Sequence, residues 1–237
     1  MTKPAAAPRF DWHGRRQGRK LRSGRQLLVE TLLPQLALPP GDGALDPRSL
    51  FSPPPERVWL EIGFGGGEHL AGQAARHPRT GILGCEVFLN GLATALAHID
   101  RQKLANIRLL HGDARTLLPR LPEASVDRVY LLFPDPWPKR RHRDRRFTGR
   151  GNLDALARVM ADGAELRIAS DDMSFIRWTL EQARLHPDLA WQARRPEDWR
   201  RPPEDWIGTR YQEKAVKAGR NPVFLTYSRV PRRRKTA

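Results

Sequence analysis

Short apolar runs alternate with longer amphipathic stretches through the middle of the chain. The runs have the length and composition of β-strands, and the stretches between them space their apolar residues as helices do. Such alternation predicts an α/β fold with a seven-stranded, mostly parallel sheet and helices on both faces, because each crossover helix covers one face of the sheet. The predicted strands are Val58–Ile62, Gly81–Cys85, Ile107–His111, Arg128–Phe133, Glu165–Ala169, Leu189–Ala193 and Val223–Tyr227.

Helical patterns fill most of the segments between these strands. Near the amino end, the leucine spacing over Arg25–Leu36 predicts a further amphipathic helix, interrupted near Pro34. A linker rich in proline and glycine follows at residues 39–55 and separates this helix from the main body. The helices predicted within the main body are Glu68–Arg76, Phe88–Gln102, Leu153–Met160 and Ser174–Leu185.

The first 26 residues carry eight basic side chains and one acidic side chain. A block of like charges is expected to be a mobile arm in isolation, either a solvated tail or an arm that becomes ordered on RNA. We therefore divide the chain into a basic arm at residues 1–26, a single domain at residues 27–230 and a basic tail at residues 231–237.

The charge balance of the whole chain indicates a polyanionic partner. Lys and Arg number 42 against 26 Asp and Glu, so the formal net charge is +16. Nucleic acid is favoured over an acidic membrane surface, because clustered cations gain free energy by releasing the counterions condensed on phosphates. The single cysteine, Cys85, excludes an internal disulfide and a multi-thiolate metal site. No signal-like or membrane-spanning stretch is present, so a cytoplasmic protein is expected.

A glycine-rich loop, Glu61–Gly67, lies between the first predicted strand and the first helix of the main body. Glycines at Gly63 and Gly65 allow a tight turn and bring backbone amides close to a ligand. A dinucleotide fingerprint needs a glycine where Glu68 stands, and a pyrophosphate would be repelled by Glu61 and Glu68. S-adenosylmethionine carries a sulfonium and an ammonium group, which carboxylates attract. The loop therefore favours S-adenosylmethionine over a nicotinamide dinucleotide.

Two further carboxylates follow the next two predicted strands. Glu86 follows the second strand, where a carboxylate can accept hydrogen bonds from both ribose hydroxyls of the cofactor. Asp113 follows the third strand, where it can accept from the adenine amino group. The carboxyl ends of parallel strands meet at one edge of a sheet, so we expect these acids to lie near the glycine-rich loop. Each could alternatively serve only as a helix cap or a turn residue.

The fourth predicted strand runs into the string F-P-D-P-W-P-K at residues 133–139. Its three prolines restrict the backbone around Asp135 and Trp137, and the strand position predicts that Asp135 lies beside the methyl group of the cofactor. Cations continue from Lys139 to Arg146 and are candidates for phosphate contacts. The simpler alternative is a rigid surface turn followed by a solvated charged face.

Five segments together resemble the bacterial tRNA (guanine-N7-)-methyltransferase family. The resemblance extends over roughly residues 14 to 229, and the F-P-D-P-W-P-K string is its most specific part. It implies a Rossmann-like class I methyltransferase fold, S-adenosyl-L-methionine as cofactor, no metal, and a guanine in the variable loop of tRNA as the acceptor. The segments are residues 61–67, 84–86, 112–114, 133–139 and 209–211.

The same resemblance assigns roles to individual residues. It implies that Asp135 is the catalytic residue and that it lines the cofactor site together with Glu61, Glu86 and Asp113. For substrate contacts it implies Lys139, Asp171, Thr209, Arg210, Tyr211 and Gln212.

Gln212 departs from the family pattern, which usually reads T-x-[FY]-E where this chain has Thr209–Gln212. An amide keeps one acceptor but loses the charge, so it could weaken recognition of a donor edge of guanine.

Three other functions are compatible with parts of the sequence. A methyltransferase acting on adenine N6 would carry a [DNS]-P-P-[FWY] loop after the same strand, and this chain lacks the second proline there. An RNA-binding protein that kept the fold without catalysis would have no need for Glu61, Glu86, Asp113 and Asp135 in a basic cleft. A nicotinamide dehydrogenase lacks support because the third fingerprint glycine is absent. The sequence does not decide between a monomer and a homodimer.

Overall fold

A seven-stranded sheet forms the centre of the computed structural model, which describes residues 16–232. The strand order is β3-β2-β1-β4-β5-β7-β6. Strands β1 to β5 are parallel, whereas β7 runs antiparallel to both β5 and β6. The predicted seven-stranded α/β fold is therefore confirmed. The strands are β1 (Arg57–Ile62), β2 (Thr80–Glu86), β3 (Ile107–His111), β4 (Val126–Leu132), β5 (Met160–Ser170), β6 (Leu189–Trp191) and β7 (Val223–Arg229).

Helices cover both faces of this sheet. One face packs against α6 and α7 through residues such as Leu153 and Phe175, and the other packs against α3 and α4 through Leu70 and Leu96. The helices within the described residues are α1 (Ser23–Thr31), α2 (Leu33–Leu36), α3 (Glu68–Arg76), α4 (Leu89–Gln102), α5 (Ala114–Leu117), α6 (Arg150–Val159), α7 (Met173–Arg184), α8 (Glu197–Arg200) and α9 (Arg210–Lys217).

The start of β5 differs most from the sequence prediction, and the reason is local. Helix α6 ends at Val159, and β5 starts at Met160, well before the predicted start at Glu165. Met160, at the start of β5, pairs with Val126 of β4. The residues that follow include polar side chains and Gly163, so this part of β5 lacks the apolar pattern by which a strand is predicted from sequence. The predicted break in the first helix is confirmed, since α1 ends at Thr31 and α2 begins at Leu33.

The two basic ends extend beyond the described region, which excludes residues 1–15 and 233–237. Residues 16–22 lie against the first turn of α4, and α1 starts at Ser23. At the other end, Arg232 pairs with Glu123 and Asp162 and donates to the carbonyl groups of Arg158 and Met160, at the junction of α6 and β5. Within residues 16–232, no helix is long and apolar enough to cross a membrane.

The order of the strands creates one crevice. From β1 the chain continues to β2 and then β3 on one side of β1. It then crosses to the other side of β1, where β4 lies next to it. The loops that leave the carboxyl ends of β1 and β4 therefore separate and leave a gap at this switch point, which is where open α/β sheets bind ligands. The glycine-rich loop and the loop containing Asp135 form its two sides.

Candidate active site

A cleft of about 380 Å³ lies at this switch point. Its size is within the range of small-molecule sites. The glycine-rich loop after β1, the end of β2, the loop after β4 and the first turn of α9 all contribute to its walls. The lining includes Gly63, Gly65, Glu86, Phe88, Asp135, Trp137 and Tyr211.

The glycine-rich loop turns through left-handed backbone conformations that only glycine adopts without strain. Gly65 has φ 56° and Gly67 has φ 78°. A Cβ atom on Gly67 would lie 2.4 Å from Cβ of Ala95 in α4, and one on Gly65 would lie 2.8 Å from the ring of Tyr211. The loop therefore packs closely against α4 at Gly67 and against α9 at Gly65, and neither position has room for a side chain.

Glu86 presents a buried carboxylate at the cleft wall, with 7% of the residue exposed. One oxygen accepts a hydrogen bond from Gly65 N (2.7 Å) and the other accepts from Phe88 N (2.8 Å). Burial raises the pKa of Glu86, while the backbone N–H groups of Phe88 and Gly65 oppose that rise. Each carboxylate oxygen has further acceptor capacity, so the group can accept hydroxyl donors from a ligand in the cleft.

Asp113 caps α5, and its carboxylate accepts from the backbone N–H of Arg115. The guanidinium of Arg115 also donates to both oxygens of the same carboxylate, with a shortest contact of 2.6 Å. The side chain of Asp113 thus caps the helix, which was the alternative role considered from the sequence, and also forms an ion pair with Arg115. It follows β3, at the same edge of the sheet as Glu86.

Glu61 lies near the end of β1, just before the glycines of the loop, and does not line the cleft. The residue is 2% exposed, and its carboxylate is 2.8 Å from Nδ1 of His69 on α3. His69 in turn packs edge-on against Tyr130 and near Trp206. Of the three acids after successive strands, Glu86 alone borders the cleft directly, and Glu61 instead ties β1 to α3.

Asp135 borders the cleft from the opposite side, where its side chain also reaches solvent. Partial desolvation by the cleft walls raises the pKa of Asp135. The backbone around it is strained, because the bulky residues Phe133 and Trp137 have φ values of 51° and 43°. Such conformations cost about 1–3 kcal/mol each and persist where the surroundings hold them in place. Phe133 is held by a hydrogen bond from its N–H to the carbonyl of Ala169 (2.7 Å).

Arg146 holds the other end of this loop. Its guanidinium donates to the carbonyl oxygens of Pro136 (2.8 Å), Trp137 (3.2 Å) and Ser174 (3.0 Å), and also to the Ser174 hydroxyl (2.9 Å). The residue is 2% exposed. The sequence prediction that the whole run from Lys139 to Arg146 contacts RNA is therefore wrong for Arg146. No signal in the sequence distinguishes this cation from its exposed neighbours.

We predict that Arg146→Ala lowers the free energy of unfolding by about 3 kcal/mol, because several buried acceptors lose their donor at once. Urea denaturation measures the change. Arg143→Ala is the matched control, since it removes an exposed cation of the same run and should change stability by less than about 0.5 kcal/mol. Equal effects of the two substitutions would contradict the structural role of Arg146.

The other residues implied as substrate contacts lie at or near the cleft entrance. Lys139 is exposed after the proline-rich string, and Tyr211 lines the cleft with 38% of the residue exposed. Asp171 follows β5 and pairs with Arg220 (2.6 Å). The hydroxyl of Thr209 caps α9 by accepting from the N–H of Gln212 (3.1 Å). The guanidinium of Arg210 lies over the ring of Tyr211.

Gln212 is engaged within the protein. Its amide oxygen accepts a hydrogen bond of 2.6 Å from the indole N–H of Trp206. Trp206 also packs edge-on against Phe224. The contact anchors the first turn of α9 to the sheet, a function that an amide performs as well as a carboxylate because only an acceptor is required.

The residues at the cleft fit S-adenosylmethionine. A buried carboxylate with spare acceptor capacity, Glu86, lies where ribose hydroxyls need acceptors, and the glycines leave room for close backbone approach. Within residues 16–232, no cluster of His, Cys, Asp or Glu could hold a metal ion. A sheet of this order, with a glycine-rich loop after β1 and an acid at the end of β2, defines a class I S-adenosylmethionine-dependent methyltransferase.

Comparisons with known proteins agree with this class. The model of a family described as "Putative methyltransferase" matches residues 55–225. The curated tRNA (guanine-N(7)-)-methyltransferase of Rhodospirillum rubrum is 52% identical over 97% of this chain and 91% of its own length. That of a Chelativorans species is 48% identical over 92% of this chain and 94% of its own length. The chain belongs to the tRNA (guanine-N(7)-)-methyltransferase family.

Solved structures support the fold alone. An rRNA methylase from Streptococcus thermophilus aligns with a TM-score of 0.51 at 13% identity, covering 88% of this chain and 95% of the methylase. A "putative methyltransferase" from Streptococcus mutans in complex with SAH aligns with a TM-score of 0.51 at 9% identity, covering 74% of this chain and 90% of that protein.

Proposed function

We propose that the protein transfers the methyl group of S-adenosylmethionine to N7 of a guanine in the variable loop of tRNA, forming 7-methylguanosine in the cytoplasm. The observation that carries the proposal is the carboxylate of Asp135, held on a strained loop at the cleft edge opposite the glycine-rich loop. Membership in a family whose curated relatives are called tRNA (guanine-N(7)-)-methyltransferase supports the acceptor atom and the substrate.

The acceptor chemistry makes few demands on the protein. Guanine N7 has a free lone pair and no proton, so its attack on the methyl carbon requires no general base. S-adenosylmethionine, when bound, supplies an electrophilic methyl group on a sulfonium. The chain's own residues must then align the base with that methyl group, and alignment of this kind is worth roughly 7–11 kcal/mol in favourable systems.

Asp135 has the electrostatic role in this proposal. Positive charge arrives on the guanine ring as the methyl group is transferred, and a carboxylate fixed nearby stabilises it. The strained loop and its two anchors, Phe133 N–H and Arg146, keep the carboxylate in place, so little reorganisation is needed during the reaction. Asp135 lines the same cleft as Gly65 and Glu86, so we propose that it contacts both reactants.

The cofactor is held mainly by Glu86 and the loop glycines in this proposal. Glu86 accepts from the ribose hydroxyls while Gly63 and Gly65 allow the chain to pass close by. Asp113 accepts from the adenine amino group through oxygens that Arg115 already orients. Glu61 acts by fixing β1 against His69, rather than by touching the cofactor.

The substrate side is proposed to consist of Lys139, Asp171 and the four residues Thr209–Gln212. Tyr211 offers an aromatic face at the cleft wall, flanked by Arg210 and Lys214, and such a face can stack on a base turned out of its helix. Gln212 is the weakest contact of the set, because its oxygen already accepts from Trp206.

The decisive experiment is methyl transfer from labelled S-adenosylmethionine to unmodified tRNA, with the labelled nucleoside identified after digestion. Label in 7-methylguanosine is the expected result. Label in N6-methyladenosine would keep the enzyme class and overturn the acceptor. Absence of transfer with the cofactor still bound would point to Gln212 or to the choice of RNA, whereas absence of cofactor binding would favour an RNA-binding protein without catalysis.

We also predict that tRNA affinity falls steeply with salt, with a slope of about −0.7 to −0.9 in log K per log salt for each phosphate contact. Lys139→Ala should reduce the magnitude of this slope by about one contact. Arg79→Ala is the control, because Arg79 is an exposed cation next to Glu56 at the amino end of the sheet, remote from the cleft. Filter binding from low to moderate salt gives the slopes. A flat dependence would count against phosphate binding altogether.

A further inference from the structure

Three hydrogen bonds fasten residues 16–19 to the start of α4. The backbone N–H of Leu89 donates to the carbonyl of Arg16 (2.9 Å). The side-chain oxygen of Asn90 accepts from the N–H of Gly18 (2.7 Å), and its side-chain nitrogen donates to the carbonyl of Arg19 (2.7 Å). A single amide thus uses both of its ends to hold one short stretch of backbone.

These bonds serve the helix as well as the segment. The first turn of an α-helix has backbone N–H groups without partners in the helix, and α4 has no side-chain cap. The carbonyl of Arg16 satisfies one of them. Gly18 fits closely there, since a Cβ atom on it would lie 3.1 Å from Asn90 Oδ1 and 3.1 Å from the ring of Phe88.

The attachment works through the backbone and leaves the cationic side chains at the surface. In residues 16–22, which we call the basic segment, the cations are all exposed, and the half-buried residues are Gly18 and Leu21. The amide of Asn90 holds the segment by two hydrogen bonds to its backbone, which do not occupy the cationic side chains. The cations of the basic segment are Arg16, Arg19, Lys20 and Arg22.

The basic segment lies next to the cofactor side of the cleft. Phe88, which contacts the position of Gly18, also lines the cleft, and its N–H donates to Glu86. Asn90 lies in the first turn of α4, four residues after Glu86, whose carboxylate we propose as the acceptor for the ribose hydroxyls. The backbone of the basic segment at Gly18 therefore lies beside a residue that lines the cleft.

We propose that Asn90 is a positioning residue that fixes the basic segment beside the cleft, so that its cations meet the phosphates flanking the target guanine. The inference rests on the proposed function, because it assumes that RNA is the substrate. A fastened segment loses less conformational entropy on binding than a free one does, so the same charges contribute more affinity when they are held in place.

Asn90→Ala should raise KM for tRNA about tenfold, the effect of losing two side-chain hydrogen bonds, with much smaller changes in kcat and in the Kd for S-adenosylmethionine. Thr94→Ala is the matched control, since Thr94 lies one turn further along α4 and bonds only within the helix. It should leave all three parameters near the values of the unchanged protein. Equal KM effects of both variants would overturn the proposal.

Asn90→Asp separates fastening from helix stability. Aspartate keeps an acceptor for the Gly18 N–H but cannot donate to the Arg19 carbonyl. A negative charge in the first turn of a helix is stabilising, so this variant should keep the melting temperature while KM still rises. A KM rise that follows the melting temperature across the variants would show a general loss of stability and overturn the positioning role.

A double-mutant cycle tests the connection to the cations. Arg19→Ser with Lys20→Ser should raise KM strongly in the unchanged protein and much less in the Asn90→Ala background, because unfastened cations have less to lose. Additive effects would overturn the proposal.

Limited trypsin digestion provides a readout that does not depend on methyl transfer. Cleavage after Arg16, Arg19 and Lys20 should be faster in Asn90→Ala than in Thr94→Ala. Unchanged cleavage would overturn the fastening itself. Faster cleavage without a change in KM would overturn its role in RNA binding. If the unchanged protein fails to bind tRNA, the proposed function fails and the RNA role with it, whereas the trypsin result still decides whether Asn90 anchors the segment.

Discussion

Asp135→Ala is expected to lower kcat for methyl transfer at least a hundredfold while changing the Kd for S-adenosylmethionine by less than about tenfold. The loss of rate follows from removing a fixed carboxylate where positive charge develops, an effect of the size measured for single preorganised electrostatic groups in other enzymes. Cofactor binding is affected less, because Glu86 and the loop glycines remain.

Single-turnover methylation with saturating cofactor and tRNA measures this effect free of product release. Asp144→Ala is the matched control, since Asp144 is an exposed acid in the same basic stretch, beyond the proline-rich string. Asp135→Asn keeps the shape and removes the charge, so it should behave like the alanine variant. Turnover close to that of the unchanged protein in Asp135→Asn would contradict the electrostatic role.

The pH dependence of the single-turnover rate follows from the same residue. Desolvation raises the pKa of Asp135, and the charged form is the active one. The rate should therefore be maximal at neutral pH and decrease as the pH falls through the pKa of Asp135, which lies above the ordinary range for aspartate. Asp135→Asn should remove this acidic limb from the profile.

Glu86→Gln is expected to weaken S-adenosylmethionine binding about a hundredfold. Hydrogen bonds to a charged acceptor contribute about 1.5–3 kcal/mol each, and an amide offers the ribose one acceptor atom instead of two. The amide nitrogen would also face one of the N–H groups of Gly65 and Phe88 that the carboxylate now accepts. Both effects act on the ground state, so the main consequence is a higher Kd.

Isothermal titration calorimetry with the cofactor measures the Kd directly. Glu204→Gln is the control, an exposed glutamate outside the cleft. Burial raises the pKa of Glu86, so cofactor affinity should fall as pH drops through a value above the ordinary range for glutamate. Binding that is insensitive to both the substitution and pH would show that the ribose is held elsewhere.

The two variants also separate the halves of the site. Asp135→Asn should retain the cofactor without turnover, whereas Glu86→Gln should recover turnover at high cofactor concentration. A shared defect in both parameters would indicate that the loop after β4 and the end of β2 move as one unit.

Much of the architecture was determined by the sequence alone. The seven strands and the helices α3, α4, α6 and α7 were predicted close to their observed positions, because apolar periodicity and glycine or proline punctuation act locally. The helices α5, α8 and α9 were not predicted. The expected parallel strands placed Glu86 and Asp135 at one edge of the sheet before any contact was known, because the carboxyl ends of parallel strands meet there. The F-P-D-P-W-P-K string was the most specific evidence for the family, since few chains combine three prolines with an acid in this way.

Only the tertiary structure decided how individual polar side chains are used. Arg146 is buried beneath the Asp135 loop rather than exposed, Glu61 pairs with His69, and Gln212 accepts from Trp206. Asn90 holds a backbone segment 72 residues earlier in the chain. A charge pattern says that a cation or an amide is present but not which distant carbonyl, ring or carboxylate folding brings beside it. Those partners depend on the packing of the whole chain, and the burial that packing produces determines whether each group binds a ligand or supports the protein.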